Sequence, residues 1–306
     1  MSATPLRAPY PYFGGKRRAA SLIWQALGEV DHYVEPFCGS AAVLLARPHV
    51  GRCETINDAD GMVSNFWRAV RSAPDAVAAH CDWPVVEADL HARHMWLIGQ
   101  RESLTARLIA DPEWFDAKAA GWWCWGACAW IGDGWCKNGN ARTLPFFGNT
   151  GMGVHSERGA DWQALARRLA GVDVACGDWR RVSSPTVLFR TLGVTGYFAD
   201  PPYAEGRMDY AAGGTGTSLS ADVRAWAQEN GGNPRLRIVL AGLDGEHNAL
   251  EALGWRVAEW NAQGAGYVGK GGARTNQKRE RLWLSPHCVE QPPRQPSLFD
   301  RRPEAP

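Results

Sequence analysis

Tyr33-Val34-Glu35-Pro36-Phe37-Cys38-Gly39-Ser40 decides how the rest of the chain is read. It forms a short apolar strand running into a tight turn of small residues, and Ala41 to Leu45 then starts a helix. A second strand follows at Glu54-Thr55-Ile56, ended by Asn57-Asp58. From Met62 to Val70 apolar residues recur at helical spacing. Strand, helix, strand, helix is the pattern of an α/β protein with a parallel sheet.

Working outward, the alternation is lost after residue 70. The stretch 71–164 reads as mainly helical from Ala73 to Ala110, with Leu97, Leu104 and Leu108 as core. It turns Trp-, Gly- and Asn-rich from Gly121 to Gly153. Alternation resumes with a helix, Asp161 to Ala170, and a strand, Val172 to Cys176. Further strands are expected at Tyr197–Ala199, Arg237–Ala241, Arg256–Trp260 and Arg281–Ser285, with a helix at Gly245–Leu253. One α/β domain in two pieces, 1–70 and 165–288, interrupted by the insertion 71–164, accounts for this better than two domains in series. The tail 289–306, rich in proline, reads as disordered.

Composition narrows the class only a little. Of 306 residues, 45% are hydrophobic and 21% charged, as in ordinary globular proteins. No segment reaches the ~18 apolar residues of a membrane span, and the first 18 residues lack the apolar run of a secretory signal, so a cytoplasmic location is expected. Eight scattered cysteines suit reduced thiols better than a disulfide framework. The net charge of +1 conceals two basic ends, residues 1–20 and 270–306, each carrying +4. Sixteen tryptophans are present, and seven lie between Trp96 and Trp135; they read as the core of a small helical unit.

Two motifs fall where a doubly wound sheet binds ligands, beyond the carboxyl ends of its strands. The turn Cys38-Gly39-Ser40 lets a ligand approach the backbone, and Asp58 ends the next strand where it can accept hydrogen bonds from ribose hydroxyls. The Gly-x-Gly-x-x-Gly spacing is absent, which disfavours nicotinamide dinucleotides. Asp200-Pro201-Pro202-Tyr203 is more specific. Its prolines stiffen the chain and remove two donors, leaving a carboxylate, the Pro201 carbonyl and an aromatic ring at a strand end. A carboxylate and a carbonyl together accept both protons of an NH2 group, and the ring stacks on a planar base. Those bonds raise electron density on an amine nitrogen and favour the pyramidal geometry needed for in-line attack on a methyl group.

Phe13-Gly14-Gly15-Lys16, Val34 to Ser40, Asn57-Asp58 and Asp200 to Tyr203, in that order, resemble the Dam-type (class alpha) DNA adenine-N6 methyltransferases. The resemblance spans roughly 10–70 and 165–285. It implies a Rossmann-like sheet using S-adenosylmethionine, with Tyr12, Lys16, Phe37, Gly39, Asp58 and Asp200 at the cofactor. Asp178 and Trp179 would form an acid–aromatic pair around its adenine. Asp200, Pro201, Pro202 and Tyr203 would be the catalytic segment. One departure is Ala41, where the family usually has glycine.

The resemblance also implies that 71–164 is the target-recognition region, acting on double-stranded DNA whose target base must be extruded. Lys137, Asn138, Asn140 and Arg142 are its polar candidates, Arg suiting guanine edges and Asn adenine edges. Cys124, Cys128 and Cys136 with His155 lack paired Cys-x2-Cys spacing, so no metal is expected. Gln295, Leu298 and Phe299 form a Gln-x-x-Leu-Phe peptide like those by which bacterial replication proteins dock on the sliding clamp. The alternatives are an amine methyltransferase for cytosine N4 or RNA, and a DNA-binding module without activity.

Overall fold

The computed structural model describes residues 6–12, 14–48, 53–82, 85–132, 134–137, 142–146, 160–204, 216–260 and 279–290. All seven expected strands are present: β1 (His32–Glu35), β2 (Cys53–Asp58), β3 (Val172–Cys176), β4 (Thr195–Ala199), β5 (Leu236–Leu243), β6 (Arg256–Glu259) and β7 (Glu280–Leu284). They join one sheet in the order β3-β2-β1-β4-β5-β7-β6. The first five strands run parallel, and β7 lies antiparallel between β5 and β6.

Burial explains the order. Every residue of β1 and β4 is buried, as strands covered on both faces must be, whereas β6 alternates between half-buried and exposed as an edge strand does. The chain leaves β1 toward β2 on one side and returns as β4 on the other. That reversal opens a crevice above the carboxyl ends of β1 and β4.

Helices α1 (Ala20–Leu27), α2 (Ala42–Leu45) and α3 (Gly61–Ser72) accompany the first strands. The interruption supplies α4 (Pro74–His80), α5 (Glu87–Ala110) and α6 (Ala117–Ala129), and α7 (Trp162–Leu169) leads back to β3. Two more, α8 (Pro185–Leu188) and α9 (Gly216–Asn230), flank β4. Side-chain caps fix the helix starts: Asp60 accepts from Met62 N, Asp116 from Ala119 N and Asp161 from Ala164 N. Asn65 on α3 exchanges two 2.9 Å hydrogen bonds with the backbone of Asp116, clamping the start of α6 to α3.

Three readings of local structure change. Gly121 and Gly126, read within a Trp-, Gly- and Asn-rich stretch, lie inside α6; a Cβ on Gly121 would come within 2.3 Å of His80 Cβ, so this glycine serves close helix packing. The helix expected at Gly245–Leu253 is only a 3-10 segment, Asn248–Leu253, confined between the positive-φ glycines 245 and 254. Helices α1, α8 and α9 were not anticipated. The helices of 71–164 share a single core with α3: Val77, Leu97, Leu104, Leu108, Ala119 and Trp123 pack in the same cluster as Phe66 and Trp67. A smaller cluster, Leu90, Trp125, Ala129 and Trp130, lies farther out. Val289, first residue of the expected tail, still donates from its backbone to Ala26 O at 2.8 Å. No helix among the described residues is long and apolar enough to cross a membrane.

Candidate active site

The turn after β1 is held from three sides. Cys38 N donates to Asn57 O at 2.9 Å, Gly39 N to Asp58 Oδ2 at 3.0 Å, and Gly39 O accepts from Tyr10 Oη and Trp67 Nε1 at 3.0 and 2.9 Å. Gly39 has φ +43° and lies under the Tyr12 ring, where a Cβ would stand 2.3 Å from Cε1. Both facts require glycine here. Ala41 also has positive φ, +47°, so the alanine at the family's glycine position adopts the left-handed backbone that glycine takes without strain.

The strand ends are tied together by Asn57. Its amide donates to Pro36 O and Gly177 O, both at 3.0 Å, linking the carboxyl ends of β1, β2 and β3. Asp58 beside it accepts from Gly39 N and from Asp60 N at 2.9 Å. Desolvation nevertheless raises its carboxyl to about 7, because those two bonds only partly offset the burial. Glu35, at the end of β1, is likewise pushed up by burial to about 8, against the pull of Tyr33 Oη and Leu44 N on Oε2.

Strand β4 runs into Asp200. Pro201 and Pro202 are buried and Tyr203 is half-buried. Tyr203 Oη donates to Asp200 Oδ1 at 3.1 Å, and burial raises the phenol well above its ordinary range. Asp200 Oδ2 lies 2.9 Å from Lys16 Nζ, which also donates to Gly14 O at 2.7 Å. Lys16 thus joins the Gly14-Gly15 turn to the Asp200–Tyr203 segment. Glu246, beyond β5, accepts from Ala204 N at 2.9 Å and from Leu243 N at 2.8 Å, anchoring the chain just after Tyr203.

Many of these groups line a cavity of about 310 Å³. Its sheet side is lined by Tyr12, Lys16, Phe37, Gly39, Asp58, Asp200, Pro201, Pro202 and Tyr203, all sites expected from sequence. Its other side comes from the interruption: Arg101, Trp123, Ala127, Trp130, Trp135 and Lys137. Arg101 bridges the two, donating to Asp60 Oδ1 at 2.9 Å and to Cys136 O at 2.8 Å.

Some expected residues stand apart. Asp178 is exposed, caps the 3-10 turn at Trp179–Arg181 and pairs with Arg180. Trp179 is buried behind Phe37, ring centroids 6.1 Å apart; neither lines the cavity. Arg142 is exposed, and Asn138 and Asn140 fall outside the described residues. The Trp96–Trp135 set divides: Trp123, Trp125 and Trp130 are buried, while Trp135 is half-buried at the cavity. Cys124 and Cys128 aim their thiols at Pro9 O, 3.7 and 3.3 Å away; His155 is outside the described residues. The tail peptide Gln295, Leu298 and Phe299 is outside them too. Sequence reasoning missed Trp67, Arg101, Glu246 and Glu280, none of which carries a local signal, and it quoted Asn57 within the Asn57-Asp58 motif without giving it a role.

Residues 12–83 match the family model of the D12 class N6 adenine-specific DNA methyltransferase. The match runs from the Tyr12 turn through β1, β2 and α3 and past the end of α4. It bears out the expected resemblance, and it indicates an adenine-specific DNA methyltransferase, an enzyme that methylates adenine N6 in DNA and draws on a methyl donor. No curated protein matches this chain.

Proposed function

We propose that the chain transfers a methyl group from S-adenosylmethionine to the N6 amine of an adenine turned out of duplex DNA. The observation that carries this reading is the convergence of Lys16, Asp58, Asp200 and Tyr203 on one cavity at the sheet's switch point.

The residues present suit such a donor. A backbone turn closed against any side chain at Gly39, a carboxylate at Asp58 and the rings of Tyr12 and Phe37 fit a nucleoside whose ribose hydroxyls donate. Asp178 and Trp179 are left out of this assignment, with Trp179 supporting Phe37 from behind. The bound donor supplies a methyl group on a sulfonium, which departs as a neutral thioether.

The rest is done by the chain. Asp200 and the Pro201 carbonyl accept hydrogen bonds from the two amine N–H groups, drawing the nitrogen lone pair out of the purine ring, while Tyr203 stacks on the base. Nitrogen would form its bond to the methyl carbon as the carbon–sulfur bond breaks, and the surplus N6 proton would then pass to solvent. No base has to remove a proton first. The interruption 71–164, through Lys137, Arg142 and the unassigned Asn138 and Asn140, is the region proposed to read DNA. The tail peptide is proposed to dock on a sliding clamp, and the enzyme is proposed to act on bacterial or phage DNA in the cytoplasm.

Purified chain, tritiated S-adenosylmethionine and duplex DNA test the reading. Label in N6-methyladenine is expected, and folded protein that labels no DNA would refute it.

A further inference from the structure

Both oxygens of Asp200 are engaged before any substrate arrives: Oδ1 by Tyr203 Oη at 3.1 Å and Oδ2 by Lys16 Nζ at 2.9 Å. An amine seeking that carboxylate competes with an ammonium that is only 3% exposed. Releasing Lys16 with no new acceptor would strand a buried charge, among the costliest outcomes in a protein interior. The structure contains the missing acceptor. Glu280, first residue of β7, places Oε2 3.5 Å from Nζ as a long ion pair, and that oxygen is buried with no closer hydrogen-bond partner among the described residues. Gly14 O, 2.7 Å from Nζ, is a fixed point about which the ammonium can turn, and the rings of Tyr203 and Trp260 cover it at 5.2 and 5.9 Å.

We propose that Glu280 is a positioning residue that receives Lys16 when the substrate amine takes its place on Asp200. This rests on the reading of Asp200 as the amine's acceptor. Lys16 passes from one carboxylate to the other without meeting water, so the net charge of the Lys16, Asp200 and Glu280 group is conserved while one Asp200 oxygen is freed. Burial raises the Glu280 carboxyl and the neighbouring Lys16 lowers it, so a tighter pair would hold it ionised more firmly.

Two measurements on the full chain test this. In a crystal structure of Asp200→Ala, Lys16 Nζ is expected within about 3 Å of Glu280 Oε2. Nζ turning to another acceptor or to solvent would overturn the proposal. In steady-state methylation, Glu280→Gln is expected to lower kcat at least about tenfold, with KM for donor and for DNA within about twofold, and Glu280→Asp to recover part of the loss. An unchanged kcat would overturn it, and a loss confined to KM would do the same. If Glu280→Gln fails to fold, the Asp200→Ala structure still decides. If the wild-type chain methylates no DNA, the functional reading falls, while that structure continues to judge the handover.

Discussion

The two sides of the cavity are built by different means. The sheet side consists of strand ends: Gly39, Asp58 and Asp200 are set by β1, β2 and β4, and the first two are locked by backbone hydrogen bonds. The helical side consists of side chains on α6 and the segment after it, with Arg101 reaching in from α5. The Arg101–Asp60 pair, 2.9 Å long, ties one to the other. A surface fixed by the sheet's hydrogen bonds suits chemistry that tolerates little displacement. A surface of packed side chains can change its lining while the sheet stays as it is, which suits recognition of a variable sequence.

Substitutions on opposite sides should therefore fail differently. The largest effect is expected for Asp200→Ala, which should lower methyl transfer about 10²–10³-fold with duplex binding nearly unchanged, read by single-turnover kinetics and filter binding. Lys137→Ala should do the reverse, weakening duplex binding with little change in kcat. Next come two glycines. Gly39→Ala should cost about 1–2 kcal/mol of stability for its left-handed backbone and raise the donor Kd at least tenfold by calorimetry. Gly126→Ala, whose Cβ would meet the Trp135 ring at 1.9 Å, should cost about 1–3 kcal/mol yet leave donor affinity unchanged. Equal losses of donor affinity in both would erase the distinction.

A smaller effect is expected from pH. Asp58 and Glu35 titrate near 7 and 8 in the fold, above their unfolded 3.8 and 4.5, so the stability they contribute is present at low pH and lost as pH rises through those values. His32 and His247, held near 4 by burial, act oppositely, but their contribution is complete once pH passes their unfolded 6.5. The melting temperature should accordingly fall between pH 6.5 and 8, and less steeply in Glu35→Gln. A flat or rising profile there would contradict the assignment. The smallest effect is Ala41→Gly: relief of the +47° φ should leave denaturation within about 1 kcal/mol of wild type, on the stabilising side.

The same division explains what the sequence made legible. The strands and the sheet side were readable because their signals are local: a run of apolar residues, a small-residue turn, an acid at a strand end, two prolines beside an aspartate. Asp178 shows the limit: the acid–aromatic pair after β3 has the right spacing, but Asp178 is exposed and pairs with Arg180 while Trp179 is buried behind Phe37. On the helical side, Arg101 meets Asp60 across 41 residues, and Glu280 meets Lys16 across most of the chain. No local pattern encodes such pairs, because they exist only once α5 packs on α3 and β7 inserts beside β5. Gly121 and Gly126 misled for a related reason: composition does not distinguish a glycine that frees a loop from one that admits a neighbouring helix.

The central claim is that Asp200 to Tyr203 methylates the adenine amine. It is tested most directly by digesting duplex DNA to nucleosides after incubation with the chain and isotopically labelled S-adenosylmethionine, with Asp200→Ala in parallel, and analysing the products by mass spectrometry. Labelled N6-methyladenine is expected with the wild-type chain, and at most about a hundredth of it with the variant. Label in N4-methylcytosine, or equal labelling by both proteins, would contradict it.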